Sequence, residues 1–343
     1  MKIPQLNSKY VPLLITIFLF ILMFAIGSVK YPSFLSLQVF FNLFIDNAYL
    51  IILATGMTFV LVSGGIDLSV GSVLCLVCMA TAYLIEIAHM NPFVVILLML
   101  LLGAVFGLAQ GCLIQFFKMQ PFIITLAGLF LGKGAAAWIS IDTINITNKM
   151  YNDIANYRVR LIGGNFISVS AVIALVVLVA AIYIAHYTKF GRAVYAIGGN
   201  EQSAILMGLP VARTKVMVYT MNGVFSAIAG IVFSLYVLSG YALHGKGMEL
   251  DTIASTVIGG TLLTGGVGYV FGSLFGALTN GIIQNLIMFD GSLSSWWTRI
   301  VLAALLCLFI VIQRLLVSRR ETGRMSGRLD CSTGQNISKQ VRQ

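Results

Sequence analysis

The chain of 343 residues is 59% hydrophobic and only 9% charged, whereas soluble domains carry roughly 25% charged residues. That excludes an ordinary soluble enzyme, and the length divides better into membrane spans, at ~20 apolar residues for each crossing of a ~30 Å hydrocarbon core. The net charge of +10 gives no reason to expect nucleic acid, because the basic residues sit in short segments between apolar runs, as the positive-inside rule requires.

Taken in chain order, the apolar runs predict an all-α polytopic membrane protein of about ten transmembrane helices. They lie near residues 11–28, 39–62, 69–88, 92–117, 121–140, 166–187, 216–239, 252–264, 268–288 and 298–317. Lys2 and Lys9 before the first run imitate a signal peptide. No small-residue cleavage site follows, and Lys30-Tyr31-Pro32 leads straight to another run, so it reads as a retained anchor. An even number of spans puts both termini on one side. Fourteen of the 21 basic residues fall there, among them Lys118, Lys189, Arg192, Arg213, Lys215 and Arg314. Most acids fall opposite: Asp46, Glu86, Asp142, Asp153, Glu249, Asp251 and Asp290. Both termini are therefore expected in the cytoplasm, with Trp138, Trp296 and Trp297 near the far interface. Residues 1–317 form one membrane domain, and 318–343 a polar, basic cytoplasmic tail.

Within the spans, Gly103, Gly107 and Gly111 form one GxxxGxxxG stripe and Gly268, Gly272 and Gly276 another, a spacing that lets helix backbones approach closely. An internal echo is more informative. Leu61-Val62-Ser63-Gly64-Gly65-Ile66-Asp67-Leu68-Ser69-Val70-Gly71-Ser72 aligns with Leu262-Leu263-Thr264-Gly265-Gly266-Val267-Gly268-Tyr269-Val270-Phe271-Gly272-Ser273. Each copy sets a Gly-Gly pair between two apolar runs, and such a break frees backbone groups that hydrocarbon cannot satisfy. Paired breaks in two halves of a chain point to a transporter core. The echo implies parallel halves and the glycine stripes imply inverted ones, so symmetry stays open.

Polar groups at depth are the pathway and gate candidates. Asp67, beside Gly64 and Gly65, reads either as a cap for the following helix or gate element or as an ion-coupling acid. Asp46-Asn47, Lys133 between two glycines, Asn222, Thr279, Asn280, Gln284 and Asn285 complete the set. Amides and hydroxyls suit an uncharged, hydroxyl-rich solute, and equally suit hydrogen bonds between helices. The candidate path is therefore Asn47, Gly64, Gly65, Asp67, Gly265, Gly266, Asn280 and Gln284. Cys75, Cys78, Cys112 and Cys307 lie in apolar runs and Cys331 in the tail, which suggests no disulfide framework.

The segment 188–213 between the sixth and seventh spans is the largest cytoplasmic loop. Its second part predicts a short helix with Asn200 as N-cap, Glu201 in the first turn, Gly208 at the C-terminal cap and Pro210 beyond. Ile205, Leu206 and Met207 on it suit docking to a partner or lying on lipid headgroups. No GxxxxGK[ST] loop occurs, the three histidines have no metal-ligand spacing, and no nucleophile and base group together. Energy must then come from a gradient or from another chain.

Several stretches together resemble the permease subunits of bacterial sugar-uptake ABC transporters, the ribose, xylose and galactofuranose group. They are Gly56-Met57-Thr58, Ser63 to Ser72, Pro121-Phe122-Ile123-Ile124-Thr125-Leu126, Phe190-Gly191-Arg192, Ala196-Ile197-Gly198-Gly199-Asn200, and Gly259-Gly260 through Gly268. Phe289-Asp290-Gly291 to Trp297 is most similar to a galactofuranose permease. The resemblance implies a multi-pass protein of the bacterial inner membrane that is not itself an enzyme and binds no cofactor. ATP and magnesium would be used by cytoplasmic ATP-binding subunits, and a periplasmic sugar-binding protein would deliver the sugar. A second permease, identical or not, would complete the path. Phe190, Gly191, Arg192, Ala196, Gly199, Asn200, Glu201, Leu206 and Gly208 would form the ATPase-coupling loop. The competing readings are an ion-coupled transporter or channel using Asp67 or Lys133, and a permease of the same kind for branched-chain amino acids or a furanone signal.

Overall fold

A computed structural model of the chain describes residues 11–31, 34–160, 164–291 and 296–311. The predicted basic tail, Cys331 and the serines between Gly291 and Trp296 lie outside these residues. The described chain is a helical bundle with two minimal sheets.

Each of the ten predicted spans overlaps a helix among the described residues, the eighth only as far as Ile258. The first is α1 (Val11–Lys30) and the second divides into α2 (Leu37–Asp46) and α3 (Ala48–Val62), bent by 58° at Asn47. Next come α4 (Val70–Glu86), α5 (Pro92–Phe116) and α6 (Pro121–Ile139), each proline opening its helix where the missing N–H costs nothing. After a far-side segment holding α7 (Lys149–Asn156), α8 (Val169–Tyr187) returns. The cytoplasmic loop is itself helical, as α9 (Lys189–Gly199) and α10 (Glu201–Leu206), before α11 (Val211–Val237), α12 (Met248–Ile258), α13 (Val270–Asp290) and α14 (Trp296–Val311).

Six of these, α1, α5, α6, α8, α11 and α13, are long and apolar enough to cross a membrane alone, and the bent α2–α3 pair makes a seventh. Helices α4 and α14 are shorter apolar helices. Helix α12, with 11 residues, rises only ~16 Å, about half the hydrocarbon thickness, because its span is interrupted at both ends. The eighth span, expected at 252–264, is thus shifted toward the far side and breaks at Gly259.

Helix α3 is buried over almost its whole length, as an all-round apolar helix at the centre of a bundle must be, and α11, α8, α13 and α12 pack around it. The outer faces of α1, α5, α6 and α8 carry exposed Phe, Leu, Ile and Val, the side chains lipid accepts. The first glycine stripe seats α5 on α11: side chains added at Gly103, Gly107 and Gly111 would run into the α11 backbone at Gly223, Tyr219 and Val216. In the second stripe Gly272 and Gly276 press on the carbonyls of Gly259 and Ser255 in α12, while Gly268 precedes α13. Both stripes are packing surfaces.

Side assignments made from charge agree with the contacts. Lys30 Nζ lies 2.6 Å from Asp290, which also accepts from Tyr31 at 3.0 Å; these close the far ends of α1 and α13. Glu86, ending α4, accepts from the backbone N–H and hydroxyl of Thr147. There β1 (Ile144–Asn145) pairs with β4 (Ser239–Gly240), and β2 (Arg158–Arg160) pairs with β3 (Phe166–Ser168), both antiparallel.

Candidate functional site

The two glycine breaks meet at the cytoplasmic half of the bundle. Helix α3 ends at Ser63, with Gly64 left-handed at φ +84°. The N–H groups of Gly64 and Gly65 bond back to Leu61 and Val60 at 2.9 and 3.0 Å. This is a Schellman cap, which satisfies carbonyls that hydrocarbon would leave orphaned. Helix α12 ends in the same way, but its left-handed residue is Gly260 at φ +93°, with Gly260 N bonded to Val257 O at 2.9 Å and Thr261 N to Thr256 O at 3.2 Å. The structural counterpart of Gly64 is therefore Gly260, and the sequence echo that pairs Gly64 with Gly265 is out of step. Gly265 and Gly266, at φ +83° and +74°, form the tip of a tight turn in which Leu262 N bonds Val267 O at 2.9 Å. Two successive left-handed residues make a turn that glycine alone takes without strain. The two breaks run in the same sense, α3 and α12 arriving and α4 and α13 leaving, which is the parallel arrangement.

That turn inserts against the first break. Gly266 N donates to Val62 O at 2.9 Å, and a Cβ on Gly265 would lie 3.0 Å from Gly64 Cα. Helix α9 is the third member. A Cβ on Gly198 would collide with the Val62 carbonyl and lie 2.7 Å from Gly266 N, and one on Gly266 would lie 2.9 Å from Gly199 Cα. Three glycine pairs, 64–65, 198–199 and 265–266, thus pack backbone on backbone. Tyr195 adds a hydrogen bond to Gly268 O at 2.8 Å, and Phe190 stacks on Phe59 of α3 with ring centroids 6.3 Å apart.

The remaining loop residues serve the same joint. Gly191 lies on the terminal carbonyls of α8 at Ile184 and Ala185, and Arg192 reaches Tyr187 O at 3.4 Å. Ala196 O receives Asn200 N at 3.1 Å. Asn200 caps α10, accepting from Ser203 N at 2.8 Å, Glu201 pairs with Lys215 at 2.6 Å, and Gly208 is left-handed at φ +75°. Leu206 is 88% exposed, with Ile205 and Met207 also outward. The first half of the loop, for which no helix was predicted, is the half-buried helix α9. Gly191, Ala193, Val194 and Ile197 recur on one face, a period short enough to be lost among the glycines.

Asp67 is 2% exposed and is bound by three donors. Its Oδ1 accepts from Ser69 N at 2.8 Å and Ser69 Oγ at 2.7 Å, and its Oδ2 from Asn222 Nδ2 at 2.7 Å. It closes a local turn onto Ser69, the residue that precedes α4, and ties the break to α11. Gln110 Oε1 lies 3.2 Å from Ser69 Oγ while Gln110 Nε2 has no partner. Half a turn of that amide lets its NH₂ donate to the serine oxygen, whose proton then serves Asp67. Tyr219 OH abuts Gly65. Gln110 and Tyr219 escaped the sequence reading because a lone amide or phenol in an apolar run has no local pattern; a buried Asp that must find donors was the available signal.

Asn47, Asn280 and Gln284 form a separate group. Asn47, at the α2–α3 bend, donates to Leu43 O at 2.9 Å and lies against Gly281 of α13. Asn280 accepts from Gln284 Nε2 at 3.1 Å. From Val270 to Asn280 helix α13 rises ~15 Å, so these amides are not part of the glycine joint.

A correction concerns Glu249. It does not lie in a far-side loop. The segment after β4 runs down beside α4, with Tyr241 and Ala242 carbonyls at Cys75 Sγ and Gly245 on Gly71, so α12 begins inside the bundle. There Glu249 pairs with Lys133 of α6 at 3.4 Å. Lys133 lies ~18 Å along α6 from its cytoplasmic end, and a lysine inside a span required such a counter-ion.

The joint thus brings together the break after α3, the turn at Gly265–Gly266 and helix α9 of the 188–213 segment. Residues 39–310 match the family described as branched-chain amino acid transport system / permease component, and the chain belongs to that family. It is 46% identical over 307 residues to the inner membrane ABC transporter permease protein YjfF of Escherichia coli K12, covering 90% of this chain and 93% of that one. It is 40% identical to the fructose import permease protein FruG of Bifidobacterium longum, over 92% and 94% of the two chains. It is 37% identical to the ribose import permease protein RbsC of Bacillus subtilis, over 86% and 90%. No solved structure matches. The chain is a multi-pass protein of the bacterial inner membrane.

Proposed function

We propose that this chain is the non-catalytic membrane subunit of an ATP-binding-cassette importer for a monosaccharide, galactofuranose or a related sugar. Cytoplasmic ATPase subunits, using ATP and magnesium, act on it; a periplasmic sugar-binding protein supplies the solute, and a second permease, identical or not, completes the path.

The observation that carries the reading is the backbone packing of Gly198 and Gly199 on the break after α3 and on the Gly265–Gly266 turn that follows α12. A push on the exposed tip of α10 passes through α9 to the two points where the bundle can bend, with no long side chain to absorb it. Packed backbones have few alternative arrangements, so the displacement moves the breaks as a unit. Alternating access follows from one part of the bundle rocking against the other. Asp67, held as an acceptor by three donors, does not need an ion to complete its shell, which favours external power over ion coupling. The sugar assignment is supported by two of the relatives, the fructose import permease FruG and the ribose import permease RbsC.

The test is uptake into vesicles carrying the chain with its partner subunits, using labelled D-galactose, D-ribose, D-fructose and L-leucine, energised by internal ATP or by a proton gradient. ATP-driven uptake of a monosaccharide is expected. Uptake of L-leucine alone selects the branched-chain amino-acid reading, and gradient-driven uptake without ATP selects the ion-coupled one.

A further inference from the structure

We infer that a polar cavity among α12, α13 and α14 is a sugar-contact site on the far half of the path; the inference rests on the importer reading above. The cavity holds about 260 Å³ and is lined by Asp251, Gln284, Thr298 and Arg299, with Ile287 and Leu302 among its apolar walls. That is the scale of one sugar ring rather than a chain of them.

Its charged groups are opposite in sign, and Asp251 and Arg299 interact across it without closing a direct ion pair. Among the described residues Asp251 accepts no hydrogen bond, and no ion pair forms between it and Arg299. Arg299 is held instead by Lys246 O at 3.4 Å and by the Trp296 ring at 5.6 Å. Gln284, also on the cavity wall, spends one N–H on Asn280. A carboxylate, a guanidinium, an amide and a hydroxyl around one small space match the alternating donors and acceptors of a polyol. The cavity also lies near the end of the bundle closed by Lys30 and Asp290, where an incoming solute arrives. Asn47, Asn280 and Gln284 then form an amide row leading inward from it.

The test uses the full chain in membranes with its partner subunits. Thr298→Cys is labelled with a membrane-impermeant maleimide, the unsubstituted chain giving the background. A monosaccharide that is taken up should slow labelling by about threefold or more at saturation, while L-leucine, and phosphatidylglycerol vesicles without sugar, should not. Asp251→Asn, which keeps shape and one acceptor, should raise the KM for that sugar about tenfold, the worth of one hydrogen bond to a charged group, with Vmax little changed. Normal sugar uptake with unprotected Thr298→Cys, protection by phosphatidylglycerol alone, or an unchanged KM would overturn the site and leave the importer reading standing. Failure of the unsubstituted protein to take up any monosaccharide would overturn the sugar reading and the site with it.

Discussion

Gly198 and Gly199 are chemically identical neighbours with opposite surroundings. A methyl on Gly198 meets the Val62 carbonyl, whereas one on Gly199 meets open space. Gly198→Ala should therefore abolish uptake or assembly, and Gly199→Ala should leave uptake within about twofold, since a substitution touching nothing shifts stability by only ~0.5 kcal/mol. Transport assays on the pair, with membrane insertion checked separately, decide this; equal effects would contradict the packing. Asp67 invites a second comparison. Asp67→Ala strips the donors Ser69 and Asn222 of their acceptor at a cost of about 1–3 kcal/mol, so the melting temperature in detergent should fall. Asp67→Asn retains one acceptor for Ser69 N and should fall less. Neither a protonophore nor removal of sodium should stop uptake while ATP remains; if either does, Asp67 is an ion site. The importance of Asp67 was legible from a lone acid beside two glycines. Its distant partners were not, because Asn222 on α11 and Gln110 on α5, which reaches it through the neighbouring Ser69, meet it only in the folded bundle.

At the scale of elements, hydropathy located the membrane helices because lipid imposes it along each whole span. The caps of α10 were legible for a related reason: Asn200, Glu201, Gly208 and Pro210 act within a few residues of one another. What local pattern could not carry was depth. The descending segment Tyr241 to Gly247 and the start of α12 look like an ordinary far-side loop until Gly71 and Gly245 are seen to touch. The Lys133–Glu249 pair is where this matters energetically. Lys133→Met leaves Glu249 in the bundle without its cation, a loss of up to about 3–5 kcal/mol for a buried pair and less here because Lys133 is 31% exposed. Adding Glu249→Leu should restore much of the melting temperature, since replacing both charges removes the unpaired one. A double variant no better than the single would show that the pair does more than neutralise itself. On the cytoplasmic side, Leu206→Asp should uncouple ATP hydrolysis from uptake without disturbing insertion, because Leu206 is 88% exposed and supports nothing within the chain. Reversing charge at Arg192 and Glu201 should act in the same direction. The Glu201–Lys215 pair is exposed and worth only about 0–1 kcal/mol, so any large effect on uptake reports a lost partner contact.

For the molecule as a whole, the glycine joint makes the cytoplasmic tip and both helix breaks one mechanical unit. Nothing among the described residues supplies a nucleotide site. The central claim is that this unit is moved by a separate ATP-hydrolysing chain seated on α9 and α10. The most direct measurement isolates the intact protein from its native membrane in mild detergent and identifies what accompanies it. An ATP-binding subunit in comparable amount is expected with the unsubstituted chain and is expected to be lost with Leu206→Asp. Recovery of a folded, transport-competent permease with no nucleotide hydrolase bound would contradict the account.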